Sequence, residues 1–164
     1  MNVLVACEYS GRVRDAFIAQ GHNAISCDLL PTDKPGPHYQ GDIFDLNFSD
    51  FDLMIAHPPC TRLANSGVRW LSERNLWSEL NDAANFYKKI QNIPIKIKCI
   101  ENPIMHKYAK ELIDQIKRQV VQPWWFGEKT FKATGYELTG LPQLVATDKL
   151  TPPKTGTQEH KDWS

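Results

Sequence analysis

The chain has 164 residues, 41% hydrophobic and 23% charged, which is the make-up of an ordinary globular protein long enough for one domain with its own core. Its 19 Lys and Arg balance 19 Asp and Glu, excluding the global basic field that drives non-specific nucleic-acid binding, so any such contact must be local. The four cysteines form no CxxC pair, which argues against a zinc knuckle, another metal centre or a disulfide framework. No apolar run reaches membrane-spanning length and the N-terminus lacks the basic region of a signal peptide, so the expected location is cytoplasmic.

Residues Asn2 to Cys7 form a β-rich apolar run and Glu8 to Gly11 a polar turn, so the chain opens with a strand and its exit loop. Val13, Ala16, Phe17 and Ile18 then fall at helical spacing, with Gly21 as the C-terminal stop. A second strand over Ala24 to Cys27 ends at Asp28, about twenty residues beyond the first turn, where nucleotide-binding α/β folds place an acid for ribose hydroxyls. The first turn carries Gly11 alone, which counts against a plain dinucleotide enzyme. Pro31, Pro35 and Pro37, with Gly36 among them, force an irregular surface loop. Gln40 to Phe44 reads as a short third strand or its exit and brings Asp42 to the same rim as Asp28.

Leu53 to Ala56 is a continuous apolar run too short for a helix, and Pro58 and Pro59 end it because neither has a ladder donor. Cys60 is thereby held on a stiff loop past a strand end, where open α/β sheets bind ligands. Cys7, Cys27 and Cys99 read as packing residues, as most free cysteines are. A long helix follows, with Leu76, Trp77, Leu80, Ala83, Ala84, Tyr87 and Ile90 on one face and Ser72 as N-cap. Ile95 to Ile100 predicts another strand, stopped by Pro103 after Glu101 and Asn102; Tyr108, Leu112, Ile113 and Ile116 form the inward face of the next helix. Val120 to Gln122 starts a strand that Pro123 breaks ahead of Trp124, Trp125 and Phe126, and Gly135 to Leu138 closes a C-terminal hairpin. From Thr147 the chain is polar and aperiodic. The expected architecture is α/β: a single-domain, Rossmann-like, mostly parallel sheet over residues 1–146 with helices on both faces, then an irregular tail over 147–164.

Four polar or reactive groups, Asp28, Asp42, Cys60 and Glu101, thus stand at four strand ends. With the turn at Glu8 to Gly11, the pair Gly41-Asp42, the run Pro58-Pro59-Cys60 and the pair Glu101-Asn102, the chain resembles the catalytic half of C5-cytosine methyltransferases, specifically the short phage and prophage type without a target-recognition domain. The resemblance covers residues 2–142 and implies a class I methyltransferase-like fold with S-adenosylmethionine as cofactor. On that likeness Glu8, Tyr9, Ser10 and Gly11 contact the methionine part through backbone, Asp28 holds the ribose, Asp42 the adenine amino group, and Pro58 belongs to the same pocket. Cytosine C5 is too weak a nucleophile to take a methyl group directly, so the likeness implies a Cys60 thiolate that adds to C6. A free thiol with pKa near ~8.5 needs activation, for which a helix N-terminus expected after Cys60 is one source. Glu101 would bind the N3 and amino edge of the base and support protonation there.

Pro59, Arg62, Asn102, Lys129 and Lys132 are implied at the substrate, the cations holding a phosphate or the base. The implied partner is nucleic acid, DNA foremost, or a pyrimidine nucleotide, with a partner chain or homodimer through the Trp124 to Phe126 cluster and no membrane. The chain departs from full-length enzymes in lacking a target-recognition domain, a Gln-x-Arg-x-Arg element and a recognisable segment that completes the cofactor pocket. These departures leave room for a non-catalytic phage accessory or anti-restriction protein that keeps the pocket without turnover. Amino-methyltransferases acting on adenine N6 or cytosine N4 also use a Pro-Pro loop, but place an aromatic residue where Cys60 stands.

Overall fold

The near-continuous apolar runs of the sequence become the middle of the sheet, because a parallel strand covered on both faces needs apolar side chains on both. The computed structural model describes residues 1–113 and 117–163. Seven strands, β1 (Asn2–Ala6), β2 (Asn23–Asp28), β3 (His38–Gln40), β4 (Leu53–Ala56), β5 (Ile97–Pro103), β6 (Arg118–Val121) and β7 (Thr134–Thr139), lie in the order β3-β2-β1-β4-β5-β7-β6. All ladders are parallel except those of β7, which runs antiparallel to both β5 and β6. The expected α/β class, with its antiparallel C-terminal pair, is what forms. The strand order reverses between β1 and β4, and in such sheets the crevice beyond that point is where ligands sit.

One face buries Val3, Val5, Ala24 and Leu53 beneath Val13 and Phe17 of helix α1 (Arg12–Ala19). The other buries Leu4, Ala6, Met54, Ala56 and Ile100 beneath Leu80, Ala84, Tyr87 and Ile90 of α3 (Trp77–Gln91), which follows the short α2 (Arg69–Glu73), and beneath Ala109 of α4 (Lys107–Leu112). Among the described residues no helix is long and apolar enough to cross a membrane.

Five local expectations are corrected. The long helix is two: Ser72 lies inside α2 rather than capping, and the chain turns at Asn75, whose φ of 51° is one that Asn tolerates, before α3 starts after Leu76. The third strand ends at Gln40, and Asp42 instead caps a 3₁₀ turn over Ile43–Asp45 by accepting from the Phe44 N–H at 3.0 Å. β5 runs through Glu101 and Asn102 to Pro103 instead of stopping short of it. Beyond Ile100 it has β7 as its one ladder neighbour, so a missing N–H at its last residue is tolerated. The inward face of α4 is Ala109, the partly buried Tyr108 and, just past its end, Ile113, as expected for Tyr108 and Ile113, while Leu112 is exposed; Ile116 lies outside the described residues.

The C-terminal segment is the fifth. It is irregular as far as Thr157 and then forms a short helix, α5 (Gln158–Asp162), with Trp163 buried behind it. Asp148 N–H and Leu150 N–H donate to the Trp125 and Trp124 carbonyls, and Phe131 N–H donates to the Trp163 carbonyl. Phe131 also stacks against Trp163 with ring centroids 5.5 Å apart. The segment therefore folds over Trp124 and Trp125 and leaves them half-buried. Its apolar content, Leu150 and Trp163, is too sparse to show a period.

Candidate active site

The cleft at the switch point is built from three strand exits. At the end of β1, Cys7 adopts φ 55°, a left-handed conformation costly for a residue with a Cβ. The kink lets Glu8 N–H donate to the Cys27 carbonyl at 3.1 Å and brings the Glu8 side chain under the start of α1. There Glu8 Oε1 accepts from Ser10 Oγ at 2.5 Å and from the Val13 N–H at 3.4 Å. Gly11, at φ 71°, makes the sharp turn into α1. At the end of β2, Asp28 Oδ1 accepts from Leu30 N–H at 3.0 Å. Asp28 and Asp42 face one cleft of about 140 Å³ whose wall includes Cys7, Cys27, Ile43, Pro59 and Phe86. Pockets for drug-sized ligands run ~300–1,000 Å³, so this one takes only part of a larger molecule, a flat ring with hydroxyl or amino donors for the two carboxylates.

Of the residues implied for a cofactor, Asp28 and Asp42 thus come together, and Glu8, Tyr9, Ser10 and Gly11 form the adjoining turn, with Tyr9 exposed. Pro58 is buried outside the cleft lining, and Pro59, assigned to substrate from sequence, lines it instead.

Burial pushes the Cys7 thiol up to about 12, with the Asp28 charge adding to it, and burial likewise takes Cys27 and Cys99 to about 11. In an unfolded chain these thiols ionise near ~8.5, so their contribution to stability is complete below that pH and is lost as pH rises through 11 to 12. Urea unfolding under reducing conditions will show a midpoint that falls steadily from pH 9 upward. A flat profile over that range would contradict the burial of these thiols.

The second half of the site is the β4 exit. His57 N–H donates to the Ala6 carbonyl at 3.0 Å, continuing the ladder by one residue before the prolines break it. Asn102, fully buried at the end of β5, donates its Nδ2–H to the Pro58 carbonyl at 3.0 Å. His57 Nδ1 lies 3.1 Å from Glu101 Oε2. These two bonds strap the loop that carries Cys60 to the strand end that carries Glu101. Cys60 itself is half-buried, and its carbonyl accepts from Leu63 N–H and Ala64 N–H, both at 2.9 Å. That is a single tight turn, and the helix that follows Cys60, α2, begins only at Arg69.

The far side of the turn is held by His106, whose Nδ1 accepts from Ala109 N–H at 3.1 Å. Its Nε2–H is therefore free to donate to the Arg62 carbonyl at 2.8 Å. The Arg62 guanidinium pairs with Glu79 at 2.8 Å, an exposed pair worth roughly 0–1 kcal/mol and easily exchanged for another anion. Lys129 and Lys132 are exposed on the connection between β6 and β7, which leaves the sheet at the same rim.

Four buried side-chain atoms among the described residues have no hydrogen-bond partner: Glu8 Oε2, His57 Nε2, Asn102 Oδ1 and Gln122 Oε1. They follow or close β1, β4, β5 and β6, so all four lie along the C-terminal rim of the parallel strands. Leaving such an atom unpaired costs about 1–3 kcal/mol, and native proteins carry few of them. Their concentration on one rim marks it as a place prepared for a polar ligand. Sequence alone singles out neither His57 nor Gln122; the one local signal for His57 is its place between a strand and two prolines. No group of three or more His, Cys, Asp or Glu among the described residues is arranged to hold a metal ion.

No family model matches the sequence, and no curated protein matches it. Solved structures do share its fold. The Entamoeba histolytica methyltransferase EhMeth aligns over 92% of this chain and 57% of its own, with a TM-score of 0.56 and 14% identity. The S. pombe Dnmt2 methyltransferase aligns over 88% and 51%, with a TM-score of 0.51 and 16% identity. An E. coli protein described as a DNA modification methyltransferase encoded within a prophage aligns over 83% and 45%, with a TM-score of 0.51 and 17% identity. The chain spans about half the length of these structures. What it shares with them is a methyltransferase fold.

Proposed function

We propose that the chain is an S-adenosylmethionine-dependent methyltransferase acting at C5 of cytosine, or a related pyrimidine, in nucleic acid or a nucleotide. The observation that carries this reading is the strapping of the Cys60 loop to the Glu101 strand end by the bonds from Asn102 to Pro58 and from His57 to Glu101. A thiol and a carboxyl, delivered by different strands 41 residues apart in sequence, are held on one rim beside a cleft with two ligand-facing carboxylates.

The cleft fits the adenosyl half of the cofactor. Asp28 would accept from ribose hydroxyls and Asp42 from the adenine amino group, with Ile43 and Pro59 as apolar surface for the ring. The unpaired Glu8 Oε2 lies on the adjoining turn, where it would accept from the ammonium group of the methionine part. When bound, the cofactor supplies an electrophilic methyl group. Cys60, as thiolate, forms a bond to C6 of the base, and the displaced electron pair moves through the ring to N3, where Glu101 gives up a proton. C5 is thereby made electron-rich; once it carries the methyl group, loss of its proton to a base forms the C5–C6 double bond, the C6–S bond breaks to release the Cys60 thiolate, and N3 returns its proton to Glu101. Cys60, Glu101, Asp28 and Asp42 lie within residues 1–146, which we take as the catalytic unit.

Calorimetric titration with S-adenosylmethionine and S-adenosylhomocysteine tests the pocket. Loss of a charged acceptor is worth about 1.5–3 kcal/mol, so Asp28→Ala is expected to weaken binding roughly 10- to 100-fold. Equal affinity in the wild type and the variant would remove Asp28 from the site, and absence of binding in the wild type would overturn the cofactor assignment.

A further inference from the structure

His57 has no role in the chemistry above, yet both its backbone and its ring are held in place. Its backbone is fixed between buried Ala56 and buried Pro58, and its N–H is tied to Ala6. Glu101 delivers its proton to the base from one oxygen, so the other, Oε2, is left to accept, and its 3.1 Å contact assigns the hydrogen to His57 Nδ1. Glu101 Oε2 is then occupied, and no other bond of the described residues restrains Oε1. The remaining ring nitrogen, Nε2, is buried without a partner, an arrangement that a histidine placed for packing alone would not tolerate. The other titratable neighbours of Glu101 are Tyr136, opposite it in β7, and Cys99, two residues earlier in β5. Both are held neutral by burial first and by the Glu101 charge second.

We infer that His57 is the positioning residue of the active site: its Nδ1–H clamps one carboxylate oxygen of Glu101 and so presents the other to the pyrimidine. The inference rests on the function proposed above. A free glutamate on a strand end samples several rotamers about three side-chain torsions. The imidazole bond selects one, and misplacing a reacting group by about 1 Å can cost on the order of 10²-fold in rate. The residue immediately before the two prolines is thus the one that sets the geometry of the acid, through a bond between adjacent parallel strands.

Two variants separate this role from a structural one, because the Asn side chain places its amide nitrogen where imidazole has Nδ1, whereas Gln reaches the position of Nε2. The measured quantity is the rate of covalent capture of a 5-fluorocytosine oligonucleotide in the presence of S-adenosylmethionine, followed by mass spectrometry. His57→Asn should hold capture within about threefold of wild type, and His57→Gln should slow it on the order of 10²-fold, with cofactor affinity unchanged in both. Equal rates in the two variants, fast or slow, would overturn the proposal. A second readout is independent of turnover: ¹⁵N spectra of the neutral imidazole should report the Nδ1–H form in the wild type and lose it in Glu101→Ala. An Nε2–H imidazole in the wild type would also overturn it. If the wild type captures nothing while the Nδ1–H form is observed, the cytosine reading fails and the clamp on Glu101 stands.

Discussion

Replacing Arg14 with Met will destabilise the protein by about 3 kcal/mol, the low end of what breaking a buried charge network costs. Arg14 is the largest fully buried side chain of the described residues. Its guanidinium donates to Asp15 Oδ1 at 2.9 Å, to Ser26 Oγ and Thr32 Oγ1 at 3.3 Å, and to the carbonyls of Lys34, Pro35 and Pro37 at 3.2 to 3.5 Å. Several of these are long, so the sum is well below six full charge-assisted bonds. The Met variant also leaves the Pro35 carbonyl without a donor, beneath a loop whose prolines have no N–H to offer, while Ser26 Oγ keeps His38 Nδ1 and the Pro37 and Lys34 carbonyls keep the Ser26 N–H and the Thr32 hydroxyl. The loop has been shaped around this side chain. A Cβ on Gly36 would lie 2.7 Å from the Arg14 guanidinium carbon, and one on Gly11 would lie 2.4 Å from Nη2. For a chain of this size the loss corresponds to a fall in Tm of roughly 6–12 °C, read by calorimetry, and the loop over residues 31–37 should become the first site of limited proteolysis. An unchanged Tm would mean that the buried guanidinium is no better than a hydrophobic plug, as some buried ion pairs are.

Arg14 also shows where the sequence stops being legible. An arginine next to Val13 in an amphipathic helix reads as the solvent face, and Ile18 as the buried one; in the fold Ile18 is 41% exposed and Arg14 is fully buried. The deciding factor lies some twenty residues downstream, in the carbonyls of the proline loop that the guanidinium reaches, and no periodicity within α1 encodes it. By contrast, the strand exits at Asp28, Pro58 and Glu101 were readable because each is announced locally, by an apolar run meeting a polar or proline residue. Their convergence follows from right-handed parallel crossovers, which put successive strand ends on one rim. The helix break at Asn75 and the fold-back of the C-terminal segment were not readable. The first turns on a single tolerated positive φ, and the second on a few aromatic contacts between Phe131 and residues near Trp163. His57 was hidden for a related reason: its partner, Glu101, comes from a strand 44 residues away.

Cys60→Ala will abolish covalent capture of a 5-fluorocytosine oligonucleotide and lower any methyl transfer by at least about 10⁴-fold, the scale on which removal of a nucleophile acts. Fluorine at C5 cannot leave as a proton does, so the bond from sulfur to C6 persists and the wild-type chain gains the mass of the oligonucleotide. The assignment to Cys60 follows from the state of the other thiols. Cys27 and Cys99 are buried, and Cys7, though it lines the cleft, is held protonated to about pH 12 by burial and by Asp28. Near neutral pH none of the three offers a thiolate, so Cys7→Ser should capture the oligonucleotide at the wild-type rate. Cofactor affinity should be unchanged in Cys60→Ala, since Cys60 does not line the cleft that holds Asp28 and Asp42. An adduct in Cys60→Ala that maps to another cysteine would move the nucleophile. A wild-type chain that binds cofactor but never forms the adduct would make it a binder that keeps the methyltransferase fold without its covalent chemistry.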